Sequence, residues 1–135
     1  MHLVKNEEKY WDFIRNLRND QSTQLGWIIQ NPNISKEQQA AYMSKHNDDY
    51  YICIKDDTPV GYVGAVDNDL RIATHPDYLK QGIGYFMMEQ FMEIEPTAFA
   101  KVKIDNLPSI RFFEAAGFNL SCLIYTKKQN DTKKH

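Results

Sequence analysis

The chain has 135 residues, the length of one domain, since domains usually run to roughly 100–200 residues. Hydrophobic residues make up 42% and charged residues 25%, which excludes disorder over the whole length. With 16 Lys plus Arg against 18 Asp plus Glu and a net charge of −2, the basic excess of a general nucleic-acid binder is missing. The last nine residues hold four lysines and one aspartate, so the body of the chain is more acidic than the total. No apolar run approaches the ~20 residues needed to span a bilayer, and residues 1–8 do not read as a signal peptide. Cys53 and Cys122 have no metal-type spacing; reduced thiols in a cytoplasmic protein without a metal site are expected.

In chain order, Asn6 with Glu7 and Glu8 reads as a helix start, because acidic residues favour the positive end of the helix dipole. Tyr10, Trp11, Phe13, Ile14 and Leu17 then fall on one helical face. A loop containing Asn31-Pro32-Asn33 leads to Ser35-Lys36-Glu37-Gln38, a capping box opening a second helix. The period then changes to that of strands at 50–54, 60–66 and 70–74, joined by the polar turns 55–59 and 67–69, an antiparallel meander. From Gly82 an apolar helical face returns through Ile83, Phe86, Met87, Phe91, Met92 and Ile94, with Pro96 just beyond. Residues 98–104 alternate as a strand. Asn106, Pro108 and Gly117 mark the cap, first turn and terminator of a short helix. A last strand is expected at 118–126. The domain is placed at 1–126, followed by a basic, disordered tail at 127–135. The order predicts a layered α/β domain.

The segment His75-Pro76-Asp77-Tyr78-Leu79-Lys80-Gln81-Gly82-Ile83-Gly84 joins a strand to an amphipathic helix through two glycines. Free N–H groups and the dipole at such a helix start bind phosphate, although many ligand-free turns share the pattern. No Gly-Lys-Ser/Thr follows, and Met87 stands where a dinucleotide fingerprint needs its third glycine, so two common phosphate motifs are excluded. The second informative segment is Asn106-Leu107-Pro108-Ser109-Ile110-Arg111-Phe112-Phe113-Glu114-Ala115-Ala116-Gly117-Phe118.

Together the two segments resemble the GNAT superfamily of acetyl-CoA-dependent N-acetyltransferases, in order and spacing, across residues 69–118. The resemblance implies an α/β fold with a mixed central sheet of about six strands, about four flanking helices, and a splayed V between the strands 69–75 and 98–104. It implies acetyl-CoA with its pyrophosphate on the backbone of Gln81, Gly82, Ile83, Gly84 and Tyr85, near Lys80. Its pantetheine arm would lie along Ile72, Ala73 and Thr74, with Asn106, Ser109 and Phe112 across the gap. Asp69 aligns with an acidic residue of many relatives and is the candidate base; a plain turn aspartate is the alternative. Leu79 replaces the usual Arg or Gln of the glycine motif. Phe113 replaces the tyrosine that protonates the leaving thiolate in many relatives, which leaves Tyr85, Tyr62 or water as the donor. The 13–20 segment resembles the opening of relatives that acetylate nucleotide-linked amino sugars or ribosomal-protein N-termini, so Arg18, Asn19 and Trp27 are candidate substrate contacts; a solvated helix end is the alternative. The expected activity is acetyl transfer to a primary amine of a small molecule, such as an amino sugar, by direct attack. A non-catalytic acyl-CoA-binding module and a protein N-terminal or lysine acetyltransferase stay open. No nucleic-acid or membrane partner is expected. The short stretch after Phe118 leaves room for one strand, so the strand that usually closes the acceptor side is missing or comes from a partner in a homodimer.

Overall fold

The computed structural model describes residues 1–20 and 33–128. Four strands, β1 (His2–Lys5), β2 (Tyr50–Lys55), β3 (Thr58–Val66) and β4 (Asp69–Thr74), form one sheet in the order β1-β2-β3-β4, all antiparallel. The two hairpin turns are two residues long, and Asp56, Asp57, Asp67 and Asn68 all take positive φ between 50° and 66°. That left-handed pair matches the sheet twist, and short polar Asp and Asn tolerate it.

The four helices are α1 (Trp11–Asn19), α2 (Lys36–His46), α3 (Ile83–Ile94) and α4 (Leu107–Ala115). Against one face of the sheet pack α1 and α2, burying Ile14, Leu17 and Met43 on Tyr50, Ile52, Tyr62 and Ala73. The other face carries α3 and α4, with Ile83, Met87, Phe91 and Phe113 against Cys53, Val63, Leu70 and Ile72. The capping box at α2 is present in both directions: Ser35 Oγ accepts from Gln38 N–H, and Gln38 Oε1 accepts from Ser35 N–H.

Three expectations are corrected. The start of the chain is a strand, β1, paired with β2 through Leu3↔Cys53 and its neighbours; its partner lies nearly fifty residues away, beyond the reach of local pattern. Asn6 does not cap a helix. It is buried, donates from Nδ2 to Met43 Sδ at 3.5 Å, and its carbonyl accepts from Asn47 Nδ2 at 3.0 Å; a short 3-10 turn at Glu8–Tyr10 precedes α1 instead.

The mixed sheet of about six strands is, among the described residues, a four-stranded antiparallel sheet. Residues 98–104 touch β4 through a single parallel bridge, Asp69↔Phe99. The 118–126 segment makes no ladder: Phe118 N–H bonds Phe113 O at 2.9 Å and its ring packs on Phe113, but Leu120 and Tyr125 are 80% and 88% exposed. Strand propensity needs an edge that accepts its N–H and C=O groups, and the neighbouring 98–104 segment turns away before offering one.

Gly64 sits between Tyr50 and Arg71 in a cross-strand row. A Cβ there would come within 3.0 Å of Tyr50 Cα, and closer still to the Asp49 carbonyl oxygen. Backbone on that side cannot yield like a side chain, so Gly64→Ala is expected to cost about 1–3 kcal/mol and lower the melting temperature by roughly 4–12 °C. A thermal melt by circular dichroism checks this; an unchanged midpoint would show that the strands part at no cost.

Candidate active site

The site begins where β4 loses its neighbour. Leu70 N–H donates to Phe99 O at 2.9 Å and Phe99 N–H to Asn68 O at 2.8 Å. Alternation along a strand then turns the peptide groups of Ile72 and Thr74 to the same outer side. Among the described residues those groups have no backbone partner on that side. Arg71 and Ala73 instead face β3, paired with Gly64 and Tyr62. The result is a gap, paired at the Asp69 end and open toward Thr74, with unsatisfied peptide groups along one wall.

At the open end stands the glycine turn. Lys80 and Gly82 both have positive φ, 62° and 77°, which places Gly82 as a left-handed N-cap of α3. Nothing lies within 4 Å of where its Cβ would be. Phe86 N–H is the first of α3 to bond back, to Gly82 O at 3.0 Å. The N–H groups of Ile83, Gly84 and Tyr85 therefore have no helical acceptor, which is the ordinary condition of a helix start. Lys55, at the end of β2, donates from Nζ to Gln81 Oε1 at 2.8 Å and ties this turn to the first hairpin; nothing in the sequence signalled that link.

Beside the start of α3, α4 packs through Phe112. Asn106 Oδ1 accepts from Ser109 N–H at 3.3 Å, so Asn106 is the helix cap and its Nδ2 is left without a partner among the described residues. Ser109 is 1% exposed, and its Oγ has no hydrogen-bond partner among those residues. An orphaned buried hydroxyl is uncommon and calls for a ligand or water. Phe112 lies against the first turn of α3: its ring is 4.8 Å from that of Tyr85, and a Cβ on Gly84 would approach it to 3.0 Å. Gly84 is thus what lets α3 and α4 come together. Phe113 points the other way, 5% exposed, with edge contacts to Phe112 and Phe118; it is a core residue.

Of the residues expected from the sequence, Ile72 and Thr74 lie on the open edge of β4 while Ala73 faces β3, Lys80 to Tyr85 form the turn and first residues of α3, and Asn106, Ser109 and Phe112 belong to the cap and body of α4. The donor set suits a long amide-bearing chain ending in phosphates, since peptide groups line the gap and a helix start closes it. Tyr85 is 47% exposed at the mouth, whereas Tyr62 is buried on the opposite face of the sheet. His75 serves a local turn, its Nδ1 accepting from Asp77 N–H at 3.1 Å. Among the described residues no group of His, Cys, Asp and Glu side chains could hold a metal ion.

Asp69 and Arg71 share the α1/α2 face of β4 by alternation. Asp69 Oδ2 receives Arg71 Nη1 at 3.1 Å and Lys101 Nζ at 3.6 Å; neither cation was singled out by sequence. Burial opposes the Arg71 charge, yet the Asp69 carboxylate, by charge and hydrogen bond, with Tyr50 and Tyr42 behind it, raises its pKa above the ordinary guanidinium value. The Tyr50 phenol is pushed well up, first by burial and then by Tyr42 and Tyr62, with Arg18 acting the other way; its hydroxyl lies 2.7 Å from that of Tyr42. Of the expected substrate contacts, Arg18 donates to Gln39 Oε1 at 2.8 Å and lies 4.3 Å over the Tyr42 ring. Asn19 is doubly bonded to the backbone of Ile34. Arg18 ties α1 to α2 and Asn19 ties it to the segment leading into α2, while Trp27 lies outside the described residues.

A separate concavity lined by Met1, Leu3, Tyr51, Phe86, Gln90 and Ile94 lies between β1 and α3, at the opposite sheet edge, and shares no residue with the gap. Among the described residues no helix is long and apolar enough to cross a membrane.

Comparison with known proteins bears on this gap directly. No curated protein sequence matches the chain. Among solved structures, the aminoglycoside N-acetyltransferase AAC(6')-Iy in complex with CoA is similar at 14% identity and TM-score 0.65, covering 96% of each chain. The ribosomal-protein-alanine N-acetyltransferase from Brucella melitensis is similar at 16% identity and TM-score 0.70, covering 88% of this chain and 85% of that one. The spermidine N-acetyltransferase from Vibrio cholerae, in complex with CoA and spermine, is similar at 16% identity and TM-score 0.68, covering 86% and 79%. At these identities the likeness is one of fold. The profile of the acetyltransferase (GNAT) family matches residues 11–118, which span both walls of the gap, and the chain therefore belongs to the GNAT family of acetyl-CoA-dependent N-acetyltransferases.

Proposed function

We propose that this enzyme acetylates a primary amine of a small molecule by direct attack in a ternary complex. The observation that carries the reading is the unpaired outer edge of Ile72 and Thr74 running into the free N–H groups at the start of α3. Acetyl-CoA supplies the thioester, whose carbonyl carbon forms a C–N bond to the amine as the C–S bond breaks. Ile72 and Thr74 hold the pantetheine amides in this reading, the Gln81–Tyr85 backbone and Lys80 meet the phosphates, and Asn106 Nδ2 faces the arm from α4. Asp69 takes the proton lost by the amine, through Oδ1, the oxygen its two cations leave open. The sulfur takes its proton from water, since Phe113 has none to give and Tyr85 stands at the phosphate end of the arm. Two cysteines with no disulfide between them fit a reducing cytoplasm. Similar folds belong to enzymes named for aminoglycosides, spermidine and 2,4-diaminobutyric acid, so the amino-sugar acceptor is one member of a wider class.

The cofactor reading predicts a charge effect at Gly82. Gly82→Asp and Gly82→Asn share the left-handed backbone and nearly the same volume, but only Asp places a negative charge beside the phosphates. Calorimetry with CoA is expected to give roughly 5- to 30-fold weaker binding for Asp than for Asn, in line with about 1–2 kcal/mol at a helix terminus; equal affinities would remove the phosphates from α3.

The chemistry predicts a split between two variants. Asp69→Asn is expected to lower kcat by roughly 10²-fold with an amine panel read by CoA release, and Tyr85→Phe by less than that, because the thiolate takes its proton from water. Binding of acetyl-CoA with no turnover on any amine would favour the regulatory-module reading that the buried Phe113 raises.

The 118–126 segment supports a homodimer. Leu120, Leu123, Ile124 and Tyr125 are all more than half exposed within six residues, on backbone without a ladder partner, which is a template for pairing with a second chain. Light scattering is expected to give twice the 15.8 kDa chain mass, returning to the single mass when Leu123→Asp and Tyr125→Asp are combined. A monomer at tens of micromolar would overturn it.

A further inference from the structure

Resting on the transferase reading above, we propose that the acceptor is an amine with a carboxylate close to its nitrogen, and that the outward edge of the Arg71 guanidinium receives that carboxylate. Arg71 is pinned by one nitrogen only. Its Nη1 donates to Asp69 Oδ2 at 3.1 Å, Asp69 O at 3.1 Å and Leu70 O at 3.3 Å, while Nε and Nη2 have no partner among the described residues. The side chain is 36% exposed. A planar fork held at one corner, with its remaining donors open, matches a carboxylate two bonds at a time, and most of its rotamer entropy is already lost before the ligand arrives.

The surroundings favour the same ligand. Lys101 adds a second cation 3.6 Å from the same Asp69 oxygen, which leaves the trio with a surplus positive charge. Asp69 Oδ1, still open, lies on the same strand face, so a carboxylate on Arg71 would set a neighbouring amine beside an acceptor for its proton. An amino acid presents that pair of groups in one small molecule. A polyamine or a polycationic sugar would instead bring further cations against Arg71 and Lys101, where like charges repel.

The test uses the full chain, acetyl-CoA and matched amine pairs: L-lysine against cadaverine, and L-2,4-diaminobutyrate against 1,3-diaminopropane. In each pair only the carboxylate differs. Wild-type kcat/KM is expected to favour the carboxylate member by roughly 10- to 100-fold, the worth of a hydrogen-bonded charge pair. Arg71→Gln should reduce that preference to within about threefold, and Arg71→Lys should restore part of it, keeping the charge without the fork. Acetyl-CoA affinity measured on each variant reports whether it is folded. A wild type that prefers cadaverine or 1,3-diaminopropane, a preference that survives Arg71→Gln, or bound acetyl-CoA with neither pair acetylated would each overturn the carboxylate assignment while leaving the cofactor site standing. Failure to bind acetyl-CoA at all would overturn the transferase reading and this one with it.

Discussion

A β-strand in a sheet normally spends its peptide groups on neighbours at both edges, and β4 does so on one edge only. After the Asp69↔Phe99 bridge the adjoining segment leaves, and Ile72 and Thr74 face outward with donors and acceptors unspent. Leaving such groups dry costs about 1–3 kcal/mol each, so an edge of this kind persists only where water or a ligand can reach it. The rest of the site is built around that constraint. The Gly82 N-cap opens α3 at the far end of the same strand, Gly84 admits Phe112, and α4 stands close enough to form the second wall. The gap is a place where the sheet has been left unfinished, with a helix start set at its mouth.

Local chemistry made most of this frame legible. The capping box at Ser35, the Asn106 cap, the two-residue Asp/Asn turns and the glycines of 82 and 84 act within three or four residues of themselves, so their effects can be read without knowing the fold. The divergence of 98–104 from β4 was carried by the family resemblance. What could not be read depends on partners distant in sequence. Asn6 looked like a cap because Glu7 and Glu8 follow it, but its fate was decided by Met43 and Asn47. Residues 2–5 became a strand because β2 offered an edge. Residues 118–126 have strand composition and, in the described chain, no ladder, because composition states a willingness to pair and cannot supply the partner. Asp69 was visible as an acid at the start of β4, whereas the arginine and lysine that pair with it were invisible, since their meaning arises only once β4 and residue 101 meet.

The substitution of Phe for Tyr at 113 also changes meaning in three dimensions. As a motif position it reads as the loss of a proton donor. In the fold it is one of the packing residues that seat α4, in edge contact with Phe112 and Phe118, where a hydroxyl would be buried and need a partner. The position next to it, Phe112, faces the gap. The helix thus gives the site one aromatic wall and the core another, and a proton for the departing sulfur has to come from outside α4.

Period-two alternation gives β4 two chemically different sides. Even-numbered residues, Ile72 and Thr74, turn their peptide groups to the gap and their side chains toward α3. Odd-numbered residues, Asp69 and Arg71, bond their backbone to β3 and send their side chains to the α1/α2 face. The open edge of β4 is therefore backbone that any sequence would provide, while its α1/α2 face carries side chains that can be exchanged one at a time. A substitution at 69 or 71 leaves every peptide group of the donor wall in register, but a single-residue insertion in β4 would exchange the two sets and abolish both. That asymmetry gives a physical reason why chains of about 15% identity can keep this fold while carrying the names of different amines.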